Sequence, residues 1–387
     1  MDHQIYQTLE KILEEQKFID LGVPRNILSK LKSLRPSKDL VLAIQGVRRC
    51  GKSTLLRQIA KAEGIMERSI FINFEDPRLG DSLDHHLLDA IVSFHESRSR
   101  RNTYYFFDEI QNVRNWERWL HVQLAKKQRY FAITGSNSTL LSGKLGTALT
   151  GRHLTLELFP FSFDEFRKIR PSGTLEEFLD HGGFPRVLTF NEPGTLLREY
   201  FIDIIERDVR RHVAARSSMA LMQVAKTVFE TTGSESSFRS LAKSFDLTAD
   251  TAKSYVDAFE AAYLCLACPY FTYSERKRVV RPRKYYPIDL GLRGAVITRS
   301  GADHGKKLET AVFHALRRKY GAVFYWRGKG EVDFVVETPS GLLPIQVSWE
   351  GLKERHKHAL EEFREGYPKS LPPLIVNRQN AQEILGS

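Results

Sequence analysis

The chain has 387 residues, 42% hydrophobic and 27% charged, a balance that suits a folded protein of two or three domains. No apolar run approaches the roughly 18 residues of a membrane span, and the polar start Met1-Asp2-His3-Gln4 is no secretory signal, so a cytoplasmic address with no membrane partner is expected. The 58 basic and 47 acidic residues leave a net charge of +11, and the three cysteines are too few for a disulfide framework. An excess of cations points to a polyanionic partner only where it is clustered.

Residues 1–38 read as helical, with Ile5, Leu9, Ile12 and Leu13 on one face, and Pro24 and Pro36 divide them into two short helices. They would dock on their own domain or on a neighbouring subunit. An apolar strand, Leu40-Val41-Leu42-Ala43-Ile44, then runs into Gly46-Val47-Arg48-Arg49-Cys50-Gly51-Lys52-Ser53, and a helix-like stretch opens at Thr54. Strand, glycine-bracketed loop and Lys-Ser at a helix start form the context a phosphate-binding P-loop needs. Backbone N–H groups through Gly46, Arg49, Cys50, Gly51 and Thr54 would curl around phosphate oxygens at the helix N-terminus. Lys52 would reach the outer phosphates and the Ser53 hydroxyl would ligate Mg²⁺, so ATP and Mg²⁺ are the expected ligands.

A second strand is expected at 69–74, followed by a helix over 83–97. The run Tyr104-Tyr105-Phe106-Phe107-Asp108-Glu109 then delivers two carboxylates at the carboxyl edge of a buried strand, the Walker B pattern. Asp108 would hold the Mg²⁺ shell and Glu109 would polarise the attacking water. A helix carrying Trp116 and Trp119 leads to a strand at 130–134 and the polar Gly135-Ser136-Asn137-Ser138. Ser136 or Asn137 would sense the γ-phosphate, or Asn137 and Ser138 would cap the next helix, expected over 138–148. The last strand of this part is 154–158. Five strands alternating with helices imply an α/β fold, a parallel αβα sandwich.

Thr150-Gly151-Arg152-His153 places Arg152 at the mouth of the fifth strand, and Phe159-Pro160-Phe161-Ser162-Phe163-Asp164-Glu165-Phe166 follows. With the loop Gly-x-Arg-Arg-x-Gly-Lys-Ser and the motifs Asp-Glu-Ile-Gln and Thr-Gly-Ser, these segments resemble the predicted prokaryotic AAA+ ATPases that carry a DUF4143-type C-terminal half, over about residues 40–350. The resemblance implies a ring oligomer, most simply a hexamer, in which Arg152 acts as an arginine finger on a neighbour's γ-phosphate. Gly182-Gly183-Phe184-Pro185-Arg186 is similar to the lid motif of Holliday-junction branch-migration motors, which would make Arg186 a lid-side sensor of ATP. A plain Gly-Gly turn accounts for the same residues.

Residues 195–215 read as one long helix. From 218 to 290 the order of helices, turns and a hairpin, with Thr248 capping the longer helix, is a winged-helix pattern. Cys265 and Cys268 lie in an apolar, helix-like stretch and read as buried thiols, since zinc asks for four ligands. Arg276, Lys277, Arg278, Arg281, Arg283 and Lys284 put six cations into nine residues, a basic hairpin that would lie along DNA phosphates. Asp250 opposes deep groove insertion, and a protein-packing role with a solvated hairpin accounts for the same pattern.

Residues 303–350 resemble the PD-(D/E)xK nuclease core, with Glu309 on a helix, Asp333 on a strand and Gln346 on the next. There the resemblance implies acidic groups and a carbonyl that hold Mg²⁺ and a lysine that activates water. The lysine position is Ser348, so an inactive vestige is expected, with Lys329 in the preceding loop as the nearest substitute. The expected layout is a helical segment at 1–38, the AAA+ core at 39–160, a helical lid at 161–216, the winged helix at 217–290 and the nuclease-like domain at 291–387. The leading functional expectation is an ATPase that remodels DNA, branched DNA included, as a ring. The alternatives are a nucleotide-gated switch on a protein partner in stress or phage defence, or an ATP-dependent nuclease.

Overall fold

In the first half of the chain both parities of strand residues are apolar, which requires a sheet covered on both faces. The computed structural model, which describes residues 3–31, 37–80, 83–98, 103–138, 149, 151–213, 217–298 and 303–386, has this sheet. Strands β1 (Val41–Gln45), β2 (Ser69–Asn73), β3 (Tyr104–Asp108), β4 (Tyr130–Gly135) and β5 (His153–Glu157) are all parallel, in the order β2-β3-β4-β1-β5. Val41, Ala43, Ile72, Phe107 and Ile133 join one core with Leu88, Ile91, Trp116 and Leu120 from the crossover helices. Leu42, Ile44, Phe71 and Phe106 are buried as well, on the opposite side of their strands. The helix expected over 138–148 lies outside the described residues.

The chain divides into two compact units, 1–158 and 159–387. In the first, α1 (His3–Glu15) buries Leu9 and Ile12 in the core of its own unit. A short helix, α2 (Leu28–Leu31), follows, and α3 (Lys52–Ala62), α4 (His85–Arg98) and α5 (Trp116–Lys126) are the crossovers. Side-chain amides anchor the N-terminal segment. Gln16 brackets the Phe71 backbone, donating to its carbonyl at 2.7 Å, and Gln58 of α3 donates to the Leu21 and Val23 carbonyls at 2.7 and 2.8 Å.

The second unit opens with α6 (Phe163–Ile169) and α7 (Leu175–His181), each started by a capping box, Ser162 with Glu165 and Thr174 with Glu177. The single long helix expected over 195–215 is instead α8 (Pro193–Asp203) followed by a π-helical turn at Ile204–Val209. The wider turn lets Ile204, Ile205, Asp208 and Val209 all face inward. Then come α9 (Ser218–Glu230), β6 (Glu235–Ser236), α10 (Phe238–Ser244), α11 (Ala249–Ala261), β7 (Cys265–Cys268), α12 (Glu275–Val280) and β8 (Arg283–Pro287).

Two expectations for this region fail. Cys265 and Cys268 lie on a strand, not a helix, paired with Pro287 and Lys284 across an antiparallel sheet of order β6-β8-β7. Both thiols are buried and free. The basic run 276–284 is not a simple hairpin: its first part is α12, capped by Ser274, and its end is β8.

Asp289 caps α13 (Leu290–Val296) and accepts from the Gly183 N–H at 2.6 Å and the Leu292 N–H at 2.8 Å. A Cβ on Gly182, whose φ is 72°, would meet the Asp289 carboxylate at 2.2 Å, and one on Gly183 would meet the Phe161 carbonyl at 2.3 Å. Packing therefore accounts for the Gly-Gly pair. Helix α14 (His304–Tyr320), strands β9 (Phe324–Arg327), β10 (Glu331–Thr338), β11 (Gly341–Val347) and β12 (Leu374–Val376), and helices α15 (Glu354–Gly366) and α16 (Ala381–Leu385) complete the unit, with sheet order β12-β11-β10-β9. No helix among the described residues is long and apolar enough to cross a membrane.

Candidate nucleotide site and a second carboxylate cluster

Parallel strands bring their carboxyl ends to one edge, and there β1 delivers the glycine loop, β3 the carboxylates and β4 a polar end. Gly46 is obligatory at the loop entrance, because a Cβ would lie 2.1 Å from the Leu158 carbonyl oxygen. Arg49 (φ 69°) and Gly51 (φ 100°) turn the backbone so that Gly51 caps α3. The buried Cys50 directs Sγ at the Leu158 carbonyl, 3.4 Å away, and its own carbonyl accepts from Arg25 at 2.9 Å. Lys52 is 4% exposed, with Nζ 3.1 and 3.2 Å from the Gly46 and Val47 carbonyls and 3.4 Å from Glu109. Arg48 pairs with Glu75 at 2.9 Å. Ser53 hydrogen-bonds Asp108, and Thr54 follows in the first turn of α3.

The carboxylate pair is buried, and the two groups respond in opposite directions. Burial, and then the neighbouring Glu109 charge, push Asp108 up against the hydrogen bonds of Ser53 and Thr134. Burial raises Glu109 too, but the Lys52 charge, the Gln111 hydrogen bond and Arg48 outweigh it and hold Glu109 below the ordinary carboxylate value. Glu109 has left-handed backbone (φ 54°), uncommon for a residue with a side chain. Its N–H donates to Thr134 Oγ1 at 3.0 Å, while Thr134 donates to Asp108. Gln111 and the Ser136 N–H reach Glu109 Oε2 at 2.5 and 3.2 Å.

Sequence reasoning missed Thr134, Gln111 and Arg48 as site residues, although all three stand inside motifs it used. Of the expected sensors, Ser136 enters through its backbone, and Asn137 follows it, half-buried. Arg152 immediately precedes β5, at the amino edge of the sheet, where its carbonyl accepts from the Val41 N–H and its Nη1 has no hydrogen-bond partner among the described residues. Arg186 is exposed in the second unit, next to the Val187–Thr189 turn.

The expected DNA-binding cations separate into two groups. Arg276, Lys277 and Arg281 are exposed; Arg278 is tied to Glu275 and the Thr272 carbonyl, and Arg283 lies 3.8 Å from Glu260. Lys284 must be removed from the list. It is fully buried, with Nζ 2.6 Å from Glu331 and 3.9 Å from Glu309, because β8 pairs with β7 and turns this side chain inward. It meets the expected nuclease-like residues there. Tyr286 donates to Glu309 at 2.7 Å, and Gln346 Nε2 and the Val347 N–H reach Asp333 at 2.5 and 2.7 Å. Lys329, the expected substitute lysine, is exposed in a turn whose N–H binds Glu362.

A parallel sheet ordered in this way, with a Gly-x-x-x-x-Gly-Lys-Ser loop at its carboxyl edge beside Asp-Glu, defines a P-loop protein of the AAA+ class. Residues 38–167 match the AAA domain, 172–303 a domain of unknown function, DUF8612, and 304–386 another, DUF4143. A Methanocaldococcus jannaschii protein described as uncharacterized is 30% identical across 97% of this chain and 89% of its own length. One from Haemophilus influenzae, described in the same way, is 28% identical across 89% and 92%. The chain belongs to this family of AAA-domain proteins with a DUF4143 C-terminal domain. Among solved structures, the Orc1 protein of Aeropyrum pernix in complex with DNA (TM-score 0.33) and Cdc6p of Pyrobaculum aerophilum (0.31) are each 12% identical. They cover 76% and 86% of this chain, and 92% and 93% of their own.

Proposed function

We propose that the first unit binds and hydrolyses ATP with Mg²⁺ and that hydrolysis drives work on DNA by a ring-shaped oligomer. The observation that carries the ATPase reading is the convergence of Lys52, Ser53, Asp108 and Glu109 at one strand edge, with Lys52 only 3.4 Å from Glu109. Before a nucleotide arrives, the Lys52 ammonium rests on two loop carbonyls and on Glu109, which ATP phosphates would replace as its partners. Ser53 and Asp108 are hard oxygen donors already joined to each other, and a buried carboxylate whose charge is disfavoured fits a cation ligand. Bound Mg²⁺ would neutralise phosphate charge. Glu109, kept ionised by Lys52 and Gln111, would orient water and accept its proton. Arg152, at the far edge of the sheet, would serve a neighbour's site.

The DNA reading rests on the second unit. Helices α10 and α11, joined by a tight turn, stand beside a three-stranded sheet in a winged-helix order. Arg276, Lys277 and Arg281 project into solvent from the connection between β7 and β8. The test is ATP binding and phosphate release across single-stranded, duplex and forked DNA, with the oligomer mass measured alongside. Lys52→Ala should weaken ATP binding, whereas Glu109→Gln should bind ATP and turn over very slowly. Normal hydrolysis by Glu109→Gln overturns the role given to Glu109, and no phosphate release by the unaltered protein under any condition overturns the ATPase assignment. Hydrolysis indifferent to every DNA overturns the DNA role and favours a switch that acts on a protein.

A further inference from the structure

The basic run of the second unit carries apolar side chains for which a purely phosphate-binding surface has no use. Among the described residues, three of the four most exposed large hydrophobic side chains are Tyr273, Val279 and Val280, at 72%, 70% and 78%. They are interleaved with the exposed Arg276, Lys277 and Arg281. The inner side of this segment is pinned, because Arg278 lies over the Phe324 ring and Arg281 over the Tyr270 ring, each at 4.9 Å. Arg276 and Val280 are one helical turn apart, so α12 mixes cation and valine on one outward face.

Tyr273 is exposed but not loose. Its ring stands edge-to-face against Phe271 at 5.5 Å and Tyr367 at 5.9 Å, and those two rings meet each other at 5.2 Å. Beside it lies a mostly apolar groove of about 560 Å³, lined by Tyr273, Leu342, Tyr367, Pro368 and Lys369. An apolar groove next to three exposed cations calls for an occupant that is apolar on its face and anionic along its edge. Unpaired nucleotides combine the two, with a π-face on every base and a phosphate between neighbours. A duplex hides its base faces in the stack, and Asp250 in the first turn of α11 sets a like charge against duplex phosphates there. Glu337 also lines the groove, which favours a base inside it and keeps the phosphates on the α12 side.

We propose that this face binds single-stranded DNA, with one base stacked on Tyr273 over the groove and the adjoining phosphates on Arg276, Lys277 and Arg281. The proposal rests on the DNA reading above and narrows it to an unpaired strand, of the kind that forks and frayed ends supply. Every base offers a π-face, so the surface selects strand state over sequence. A ring already held by two others loses little freedom when a base stacks on it.

The experiment is a fluorescence anisotropy titration of the full chain, with ATP and without, against oligo-dT, an abasic strand and a duplex of equal length. The abasic strand keeps the phosphates and removes the bases, so it separates stacking from charge. Oligo-dT should bind roughly 5- to 150-fold more tightly than the abasic strand, the worth of one base–aromatic stack. Tyr273→Ala should lose that margin and leave abasic and duplex affinity unchanged, whereas Tyr273→Phe should keep it. Arg276→Gln should weaken oligo-dT and the abasic strand alike and lower the salt slope of each by about 0.7. Equal binding of abasic and dT strands, full dT affinity in Tyr273→Ala, or an equal loss on duplex overturns the stacking site while the DNA reading stands. Sedimentation with phosphatidylserine vesicles that Tyr273→Ala abolishes, with dT affinity untouched, gives the face to a membrane surface and overturns the site too. No binding to any of the three ligands overturns the DNA reading itself, and the site with it.

Discussion

Thr134 offers the sharpest test of the nucleotide site, because a single fully buried hydroxyl serves both carboxylate residues. Thr134→Val keeps the shape and removes two hydrogen bonds: the one donated to Asp108 and the one accepted from the Glu109 N–H at 3.0 Å. A hydrogen bond to a charged group is worth about 1.5–3 kcal/mol, and a buried N–H left without an acceptor costs about 1–3 kcal/mol. Both bonds exist before any substrate binds, so much of the loss falls on stability. At roughly 2–4 °C per kcal/mol for a unit of this size, the melting temperature should drop by about 5–10 °C. The share that falls on turnover is the N–H bond, which holds Glu109 in left-handed backbone. A deficit of about 1–3 kcal/mol there corresponds to roughly a 5- to 150-fold drop in kcat, with ATP affinity nearly kept. Phosphate release, ATP titration and thermal melting measure the three parts. Thr134→Ser, which retains the hydroxyl, should recover most of kcat. A Thr134→Val protein with unaltered kcat, or a serine variant as impaired as valine, refutes this account.

Arg152→Ala should bind ATP and hydrolyse it poorly, since arginine fingers are worth roughly 10³–10⁵ in rate. Mixing it with Lys52→Ala should restore part of the activity, and no rescue in confirmed mixed oligomers would show that Arg152 acts only in its own subunit. Neutralising Arg276, Lys277 and Arg281 should weaken binding to all DNA sequences alike and reduce the salt slope by about 0.9 for each phosphate left without its cation; an unchanged slope moves the DNA surface elsewhere. Burial, then the Arg318 charge, lower the His314 pKa to about 3 despite its bond to the Pro287 carbonyl at 2.8 Å. The unfolded chain protonates near pH 6.5 while the fold does not, so this contribution is whole above that pH. It is lost toward pH 3 at about 1.4 kcal/mol per unit. His314→Gln should flatten the acid side of the stability curve, as chemical denaturation at several pH values will show.

The parallel sheet and its phosphate loop were legible because each rests on local signals: apolar strands, a glycine pair at fixed spacing, and Asp-Glu closing a strand. Thr134 was harder to see, because its role comes from a neighbouring strand 26 residues away, and a Thr-Gly-Ser run reads equally well as a helix cap. Lys284 misled for a related reason. In a run of six cations every side chain reads as solvated, and only the pairing of β8 with β7 shows that this one turns inward. The Cys265–Cys268 strand was hidden by its apolar neighbours, since short buried runs carry no period that separates helix from strand. The π-turn after α8 leaves no mark in composition. Lys284, Glu309 and Glu331 come from three elements far apart in the chain, so no local pattern shows that they meet.

The anchoring of the N-terminal segment has a consequence for synthesis. Helix α1 emerges from the ribosome early, yet its partners are distant. Gln16 waits for Phe71, Tyr6 stacks edge-on against Phe94, and Glu10 pairs with Arg98. At the usual elongation rate of about 5–20 residues per second, those partners follow roughly 3–18 seconds later. Throughout that interval Leu9 and Ile12 have no surface to cover them, and the nascent chain presents a sticky amphipathic face to whatever is nearby. A fusion that lengthens the stretch between residues 31 and 69 prolongs this exposure and should lower the soluble yield, even where it leaves the finished fold untouched.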